Sequence, residues 1–171
     1  MVIDPASGKS GAMGSTPAVR EVLAASGLDY EIIACDPALS DTAVFCAHYG
    51  YAPEISANTI LVRSKRGDVE YVACLVLATT RLDVNNVVRK RLNARKVSFA
   101  SAAETTAIMG MELGGVTALG LPADLPLWID ARVMAPSRII LGGGDRASKI
   151  IVDPAIFGQT PATEIVPNLA K

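Results

Sequence analysis

Apolar and polar positions follow two different periods along this chain, and the boundaries between them are clear from Thr16 onward. "TPAVREVLAASG" predicts a short helix over residues 16–26, with Thr16 as the N-cap, Pro17 at the first helical position and Gly27 just past the end. "DYEIIAC" alternates as a strand does, and "SDTAVFCAHYG" carries capping residues at both ends of a second helix. "NTILVRSKRGDVEYVACLVLA" predicts a hairpin over residues 59–77.

The second half of the chain mixes the same two periods. In "DVNNVVRKRLNARK" the apolar residues fall on one helical face over residues 84–93, with Asp83 as the cap. A short strand, "KVSFA", follows, and Ser101 with Glu104 predicts the capping box of another helix. "LPLWIDARV", "SRIILGGG" and "SKIIVD" predict three more strands. Because hairpins and helices interleave without a regular βαβ repeat, we expect an α+β fold, a mixed β-sheet or barrel flanked by helices, in one domain over residues 16–171.

Composition narrows the class of protein. A chain of 171 residues with 50% hydrophobic content can bury a core within one domain. Only 5% of the residues are aromatic, which disfavours a surface that stacks nucleic-acid bases on exposed rings. The formal net charge of -1 gives no overall attraction to nucleic acid, so a local basic patch would have to hold such a partner.

The cysteines, the apolar runs and the first residues of the sequence indicate the cellular compartment that we expect for the protein. Three cysteines form an odd set without CxxC spacing, and no apolar signal segment precedes them, so we expect reduced thiols and a cytoplasmic protein. The apolar runs have strand length, which predicts no membrane insertion. The opening "MVIDPASGKSGAMGS", residues 1–15, is small, polar and aperiodic, and it resembles an expression leader outside the fold.

Several common catalytic motifs are missing from the sequence. "GGVTALG" lacks the Lys-Ser/Thr pair of a Walker loop, no GxGxxG follows a first strand, and GxSxG does not occur. His48 is the only histidine, and no Cys/His cluster has metal-ligand spacing. We therefore expect no metal and no cofactor, and a structural or surface role for His48.

The order of the remaining pieces carries a resemblance. "LDVNNVVRKRLNARKVSFAS", "TTAIMGMELGGVTALG", "LPLWID" and "IILGGGDRASKIIV" follow one another after the hairpin. This ordered set, from about Thr16 to about Val166, resembles the YbaK/EbsC family of aminoacyl-tRNA editing domains, which is related to the prolyl-tRNA synthetase insertion domain. The resemblance implies a small protein that acts in trans. Its substrate would be an aminoacylated tRNA, and it would hydrolyse the ester between a wrong amino acid and the terminal adenosine.

The resemblance implies a substrate-binding role for the glycine-rich stretch "MGMELGGVTALGLPADLPLWID", residues 109–130. Backbone N–H groups stabilise charge on a carbonyl oxygen with little reorganisation, and glycine lets the backbone approach closely. By resemblance, Gly114 and Gly115 line the aminoacyl pocket, Gly120 shapes the loop exit and Asp130 lies on the adjoining strand. The alternative is a helix C-cap followed by a tight turn with no ligand. The residues expected to bind substrate are Gly114, Gly115, Val116, Thr117, Gly120, Asp130, Gly143 and Arg146.

Two positions depart from the family pattern. Family members usually carry a lysine that is needed for deacylation at the start of the first hairpin strand, in "xxxKTLxV", whereas "SANTILV" places Asn58 there. An amide has no positive charge, although it can donate two hydrogen bonds. Asn58 and Thr59 are thus the candidate catalytic residues, positioning the ester for attack by water. The second departure is Ala118 in place of a proline, which predicts a less preorganised loop.

A run of basic residues is the candidate contact for the tRNA acceptor stem. "RKRLNARK" contains five cations and no acid, and the hairpin turn adds two more cations. The alternative interpretation is the solvated face of an amphipathic helix. Two further cations, Arg146 and Lys149, flank a glycine turn and face either the same ligand or solvent. The residues expected to contact tRNA are Lys65, Arg66, Arg89, Lys90 and Arg91.

Three functions remain open from the sequence. The first is a trans-editing deacylase. The second is a binding module on the editing fold that lacks turnover because Asn58 replaces the lysine. The third is an interaction or regulatory domain with a vestigial pocket.

Overall fold

The computed structural model describes residues 14–171. The predicted leader lies outside this range apart from Gly14 and Ser15. The Ser15 carbonyl accepts a hydrogen bond from the Arg20 guanidinium, and the Thr16 N–H donates to the Gly143 carbonyl over 3.1 Å. The described chain therefore begins against the turn around Gly143. The proposed domain limits remain a prediction.

Helices form where the capping signals predict them. Within residues 14–171 the α-helices are α1 (Pro17–Ser26), α2 (Thr42–Tyr49), α3 (Arg89–Arg91) and α4 (Ala102–Met109). The helices α1, α2 and α4 each end at a glycine in the left-handed conformation. Ser101 and Glu104 form the predicted capping box. Thr16 precedes α1 in an extended conformation, but its side chain makes no capping hydrogen bond.

The predicted helix over residues 84–93 has a different local geometry. It begins as a π-helix, Val84–Val88, in which the Val88 N–H donates to the Asp83 carbonyl five residues earlier over 3.2 Å. The Asp83 side chain caps this turn by accepting from the Asn86 N–H. The three residues of α3 follow directly. The cap was therefore predicted correctly, and the wide first turn was not.

The strands build two sheets. They are β1 (Tyr30–Ala34), β2 (Ala57–Ser64), β3 (Tyr71–Leu77), β4 (Val97–Phe99), β5 (Leu127–Asp130), β6 (Ile139–Gly142), β7 (Ser148–Val152) and β8 (Thr163–Val166). One sheet is antiparallel with the order β1-β7-β6, and the other is mixed with the order β4-β2-β3-β5-β8. The predicted hairpin is the β2–β3 pair, which matches Thr59 with Leu75.

The α+β class with a mixed sheet is confirmed. In the larger sheet β3 pairs β5 in parallel and β5 pairs β8 in parallel, whereas β2 runs antiparallel to both neighbours. The two sheets meet at a single parallel bridge between Ser56 and Ile140. Over residues 14–171 they are not closed into a barrel. Strand β8 carries no strong pattern in "TEIV" and was not predicted.

The main core lies between the facing sides of the two sheets. Alternate residues of β2, β3 and β5 contact alternate residues of β6 and β7 there, and α1 closes one side with Val19 and Leu23. A second apolar cluster covers the outer face of the larger sheet, around Val72 and Val88. A third cluster packs α2 on the outer face of the smaller sheet through Phe45. Each sheet is thus buried on both faces.

The three cysteines are free thiols, and all are buried. Burial raises the pKa of Cys74 to about 12, so this thiol stays protonated and unreactive at neutral pH. No helix among residues 14–171 has the length and apolar content needed to span a bilayer.

Asp130 fastens the C-terminal segment to the larger sheet. Its carboxylate accepts hydrogen bonds from the Arg132 Nε over 2.8 Å and from the Ala170 N–H over 2.8 Å. Burial acts to raise the pKa of Asp130, but the hydrogen bonds from Arg132 and Ala170 outweigh it, so the pKa lies below its ordinary value. Asp130 therefore serves the fold. Both carboxylate oxygens are occupied by these partners, and a contact between Asp130 and substrate stays a prediction.

We expect Asp130→Asn to lower the free energy of unfolding by about 2 kcal/mol at pH 7, because charge-assisted hydrogen bonds are lost. A lowered pKa in the folded state means that the carboxylate contributes its stability above the ordinary Asp pKa and loses it as the pH falls through the lowered value. The difference between variant and wild type should therefore shrink in acid. Urea unfolding across pH measures it, with the exposed Asp29→Asn as the control. Equal stabilities at pH 7 would contradict this role.

Candidate functional site

A small cavity lies where the two sheets meet. It has a volume of about 180 Å³ and is bounded by the segment that leads into α2, the first residues of β2, the loop after α4, and β6 and β7. This volume is below the roughly 300–1,000 Å³ of pockets for drug-sized ligands. A wider, more open depression of about 410 Å³ beside Tyr71 and Pro126 offers Asp124 as its one carboxylate. The smaller cavity has the richer set of polar groups and suits a small polar moiety.

Two buried hydroxyl groups in this cavity lack partners. Ser40 is 2% exposed, and neither its Oγ nor the Oγ1 of Thr59 has a hydrogen-bond partner among the described residues. Both residues line the cavity. Buried polar groups in folded proteins are nearly always hydrogen-bonded. Two unpartnered hydroxyls on one small cavity are therefore suited to bind a ligand with hydrogen-bonding atoms.

Lys149 contributes a buried cation to the same cavity. The side chain is 6% exposed, and its Nζ donates to the Ser40 carbonyl over 2.7 Å. The Nζ also lies 5.4 Å from the ring centroid of Phe45, within the range of a cation–π contact. Sequence reasoning left Lys149 open between ligand and solvent, because a lysine in a strand beside a glycine turn gives no sign of its burial. The structure places it on the cavity wall.

Position 58 contacts the cavity only through a neighbour. Successive side chains of a strand point to opposite faces, so Thr59 lines the cavity while Asn58 does not. The Asn58 Oδ1 accepts a hydrogen bond from the Thr42 hydroxyl over 2.6 Å, and Thr42 lines the cavity at the start of α2. Asn58 is thus placed to orient Thr42.

Gly114 and Val116 form the loop side of the cavity. Gly114 has φ +90°, and a Cβ there would lie 2.7 Å from the Arg146 Nη1 and 2.9 Å from the Ser40 Oγ. The Arg146 guanidinium donates to the carbonyls of Leu113 and Pro37, over 3.0 and 2.8 Å. Glycine at position 114 therefore keeps this corner open, and Arg146 ties the loop to the segment before α2.

Several residues that were predicted to contact substrate pack against neighbouring segments and do not line this cavity, so their contact with substrate stays a prediction. A Cβ on Gly115 would fall on the backbone of Asp145, and one on Gly143 would fall on the side chain of Ser148. Thr117 is fully buried, and its N–H points to the Met111 sulfur at 3.5 Å. Gly120 packs against the start of α1, where a Cβ would lie 3.0 Å from Ala18. None of these four residues lines the cavity.

The predicted basic patch is split into paired and exposed parts. Arg91 forms an ion pair with Glu164 and lies over the Trp128 ring at 4.9 Å. The Arg89 Nε donates to the Asn85 carbonyl over 2.8 Å. Lys90 is exposed on α3. Further exposed cations form a basic edge, where the Lys65 N–H donates to the Lys96 carbonyl and brings the hairpin turn beside β4. We define the basic edge as Lys65, Arg66, Arg95 and Lys96, all exposed.

The fold and the cavity together define the class of protein. It is an α+β protein of two sheets with a small polar cavity where they meet, and hydroxyls, a buried ammonium and a glycine backbone lie on the cavity wall. This arrangement is suited to bind and polarise a small group such as an ester.

Comparison with known proteins identifies the family. Residues 36–157, more than half of the chain, match the profile of the aminoacyl-tRNA editing domain. The chain belongs to the aminoacyl-tRNA editing domain family, as the resemblance of its motifs implied.

Solved structures share the fold. The hypothetical protein APE2540 superposes with a TM-score of 0.77 at 21% identity, covering 90% of this chain and 99% of that one. A candidate trans-editing enzyme for prolyl-tRNA synthetase superposes with a TM-score of 0.73 at 16% identity, covering 91% of this chain and 98% of that one. At these identities the likeness shows the fold.

We expect Gly115→Ala to lower the free energy of unfolding by roughly 2 kcal/mol, because the new methyl group meets backbone that has to shift. Gly158→Ala is the matched control, since a Cβ there meets nothing within 4 Å. Urea unfolding of both variants measures the effect. A Gly115→Ala protein as stable as wild type would show that the contact with Asp145 is loose.

Proposed function

We propose that this protein is an aminoacyl-tRNA deacylase that acts in trans in the cytoplasm. It hydrolyses the ester between a mischarged amino acid and the terminal adenosine of tRNA, as part of translation quality control. The observation that carries the proposal is the pair of unpartnered buried hydroxyls, Ser40 and Thr59, on a small cavity in an editing-domain fold. A structural neighbour that is described as a candidate trans-editing enzyme for prolyl-tRNA synthetase supports the same reaction class.

The geometry supports definite roles for the cavity residues. The aminoacyl group occupies the cavity, whose volume of about 180 Å³ favours small side chains. The hydroxyls of Ser40 and Thr59 hold the ester and the attacking water by hydrogen bonds, and the open corner at Gly114 admits the acyl group. Asn58 keeps Thr42 in place through the 2.6 Å hydrogen bond.

A binding module without turnover is the second candidate function. It is favoured by Asn58, which carries no charge and whose carbonyl oxygen is already engaged by Thr42. Such a module would capture an aminoacyl-adenosine or the end of a charged tRNA in the same cavity. Measurement of ester hydrolysis and of binding on the same ligand separates the two functions.

Deacylation of a panel of aminoacyl-tRNAs tests the proposal. We expect wild-type protein to hydrolyse esters of small amino acids faster than esters of aromatic amino acids, because the cavity is small. The rate of ester loss, corrected for spontaneous hydrolysis, is the measurement. Binding without any accelerated hydrolysis would favour the binding module, and neither binding nor hydrolysis would leave an interaction domain with a vestigial pocket.

In the same deacylation assay, Thr59→Val measures the contribution of the Thr59 hydroxyl. Valine keeps the shape of threonine and removes the unpartnered Oγ1, so stability should hold or rise while deacylation slows by about 10-fold, the worth of one hydrogen bond. Thr163→Val, on β8, is the matched control and should leave the rate unchanged. An unchanged rate for Thr59→Val would contradict a contact between this hydroxyl and the substrate.

We further propose that the basic edge holds the phosphate backbone of the tRNA. Lys65 lies six residues beyond Thr59 on the strand and turn, which is about 20 Å at the rise of a β-strand. A nucleic acid whose end enters the cavity would have to span about this distance to reach the basic edge. Phosphate contacts give affinity without identifying the amino acid.

Neutralising the basic edge should weaken tRNA binding and flatten its dependence on salt. Each phosphate contact that is lost should reduce the slope of log K against log salt by about 0.7–0.9. We expect Lys65→Gln with Arg66→Gln to show this for charged and uncharged tRNA alike, measured by fluorescence anisotropy between low and physiological salt. Arg138→Gln is the control, because Arg138 lies just before β6 and forms an ion pair with Glu31. An unchanged slope in the double variant would show that the basic edge makes no phosphate contacts and is simply solvated.

A further inference from the structure

Lys149 is a buried ammonium with one hydrogen-bond partner. An ammonium group has three N–H donors, and within residues 14–171 the only acceptor in range is the Ser40 carbonyl at 2.7 Å. No carboxylate of the described residues lies within 4 Å of the Nζ. Charges are rarely buried without a counter-ion, because desolvation is costly. Two donors of Lys149 are therefore available to an anionic atom in the cavity.

The surroundings of Lys149 hold it in this position. Its Nζ lies over the Phe45 ring, and Lys149 pairs with Gly142, which also lines the cavity. A Cβ on Gly142 would lie 2.5 Å from the Val116 carbonyl, so the loop and the sheet are in close contact beside the lysine. The position of the Nζ is thus fixed by the strand, the ring and the Ser40 carbonyl.

Nearby groups influence the charge of Lys149. Burial is the largest influence and lowers its pKa below the ordinary lysine value. Cys35, Cys46 and Asp41 oppose this effect, and Arg146 adds to it. A ligand that brings negative charge into the cavity would favour the ammonium form and gain more from it than the same contact in water would give.

We propose that Lys149 is a catalytic residue of this site, whose ammonium stabilises the negative charge that forms on the ester oxygen during hydrolysis. The inference rests on the proposed function for the identity of the ligand. Lys149 on β7, Ser40 before α2 and Thr59 on β2 all line the cavity that would hold the acyl group.

The step balances without a co-reactant other than water. The water oxygen bonds to the carbonyl carbon, and the π-electron pair of the carbonyl moves onto its oxygen, which accepts a hydrogen bond from the Lys149 ammonium. Collapse of this tetrahedral intermediate re-forms the C=O bond and breaks the bond to the ribose oxygen. The ribose oxygen takes the proton that water gives up. The products are the free amino acid and the free tRNA hydroxyl.

The test compares two inert analogues of alanyl-adenosine. One carries an amide in place of the ester and is uncharged at the acyl group, and the other carries a tetrahedral phosphonate, which is anionic like the intermediate. We expect wild type to bind the phosphonate more tightly than the amide. Lys149→Met should lose about 10²-fold of that preference, with little change in amide binding. Lys149→Arg keeps the charge and should retain part of the preference. Lys171→Met, an exposed lysine at the C-terminus, is the control.

Single-turnover deacylation gives the second readout. Lys149→Met should slow ester hydrolysis on the order of 10²-fold without lowering the melting temperature. The proposal is overturned if Lys149→Met keeps the phosphonate preference, or if both Lys149 variants lose amide binding and melting temperature together, as a structural role requires. If wild type deacylates no tRNA, the proposed function fails. The phosphonate comparison still decides whether Lys149 binds the anion.

Discussion

The whole site depends on one close contact between two glycine segments. The Gly144 N–H donates to the Gly115 carbonyl over 2.7 Å, and a side chain on Gly115 or Gly142 would collide with the facing backbone. This contact presses the loop after α4 against the turn between β6 and β7. Gly114 and Lys149 reach one cavity because their segments are joined there. The glycines are therefore needed first for backbone packing, and the cavity wall is the consequence.

The buried lysine sets the second physical condition. An ammonium in the interior is tolerated here because the Phe45 ring and the Ser40 carbonyl replace part of its hydration. That replacement is incomplete, since two donors and the hydroxyls of Ser40 and Thr59 have no partner among the described residues. A fold that only needed stability would be better served by an apolar side chain at position 149. The residual polarity of the cavity is best understood as serving a ligand.

Local structure was predictable because its signals are local. Capping residues such as Ser101 with Glu104 act within one turn, and they marked the helix ends correctly. Pairing between strands that are distant in sequence was harder to predict. "TEIV" forms strand β8 because it pairs with β5 in parallel. The site was harder still. The sequence does not show that the Asp130 carboxylate binds Arg132 and Ala170. It also left Lys149 open between ligand and solvent, because nothing in "RASKIIV" indicates which residues pack on that side chain.

The chemistry of the cavity depends on where its charge lies rather than on which strand supplies it. Resemblance drew attention to position 58, but that residue faces away from the cavity and acts through Thr42. A lysine at position 58 that reached the cavity would meet the ammonium of Lys149 there. Like charges that share a small, poorly hydrated space lower each other's pKa, so one of the two would tend to lose its proton. A neutral, hydrogen-bonding residue at position 58 is therefore the compatible partner of a lysine at position 149. If Lys149 supplies the positive charge of the site, as we propose, Asn58 is compatible with ester hydrolysis as well as with binding alone.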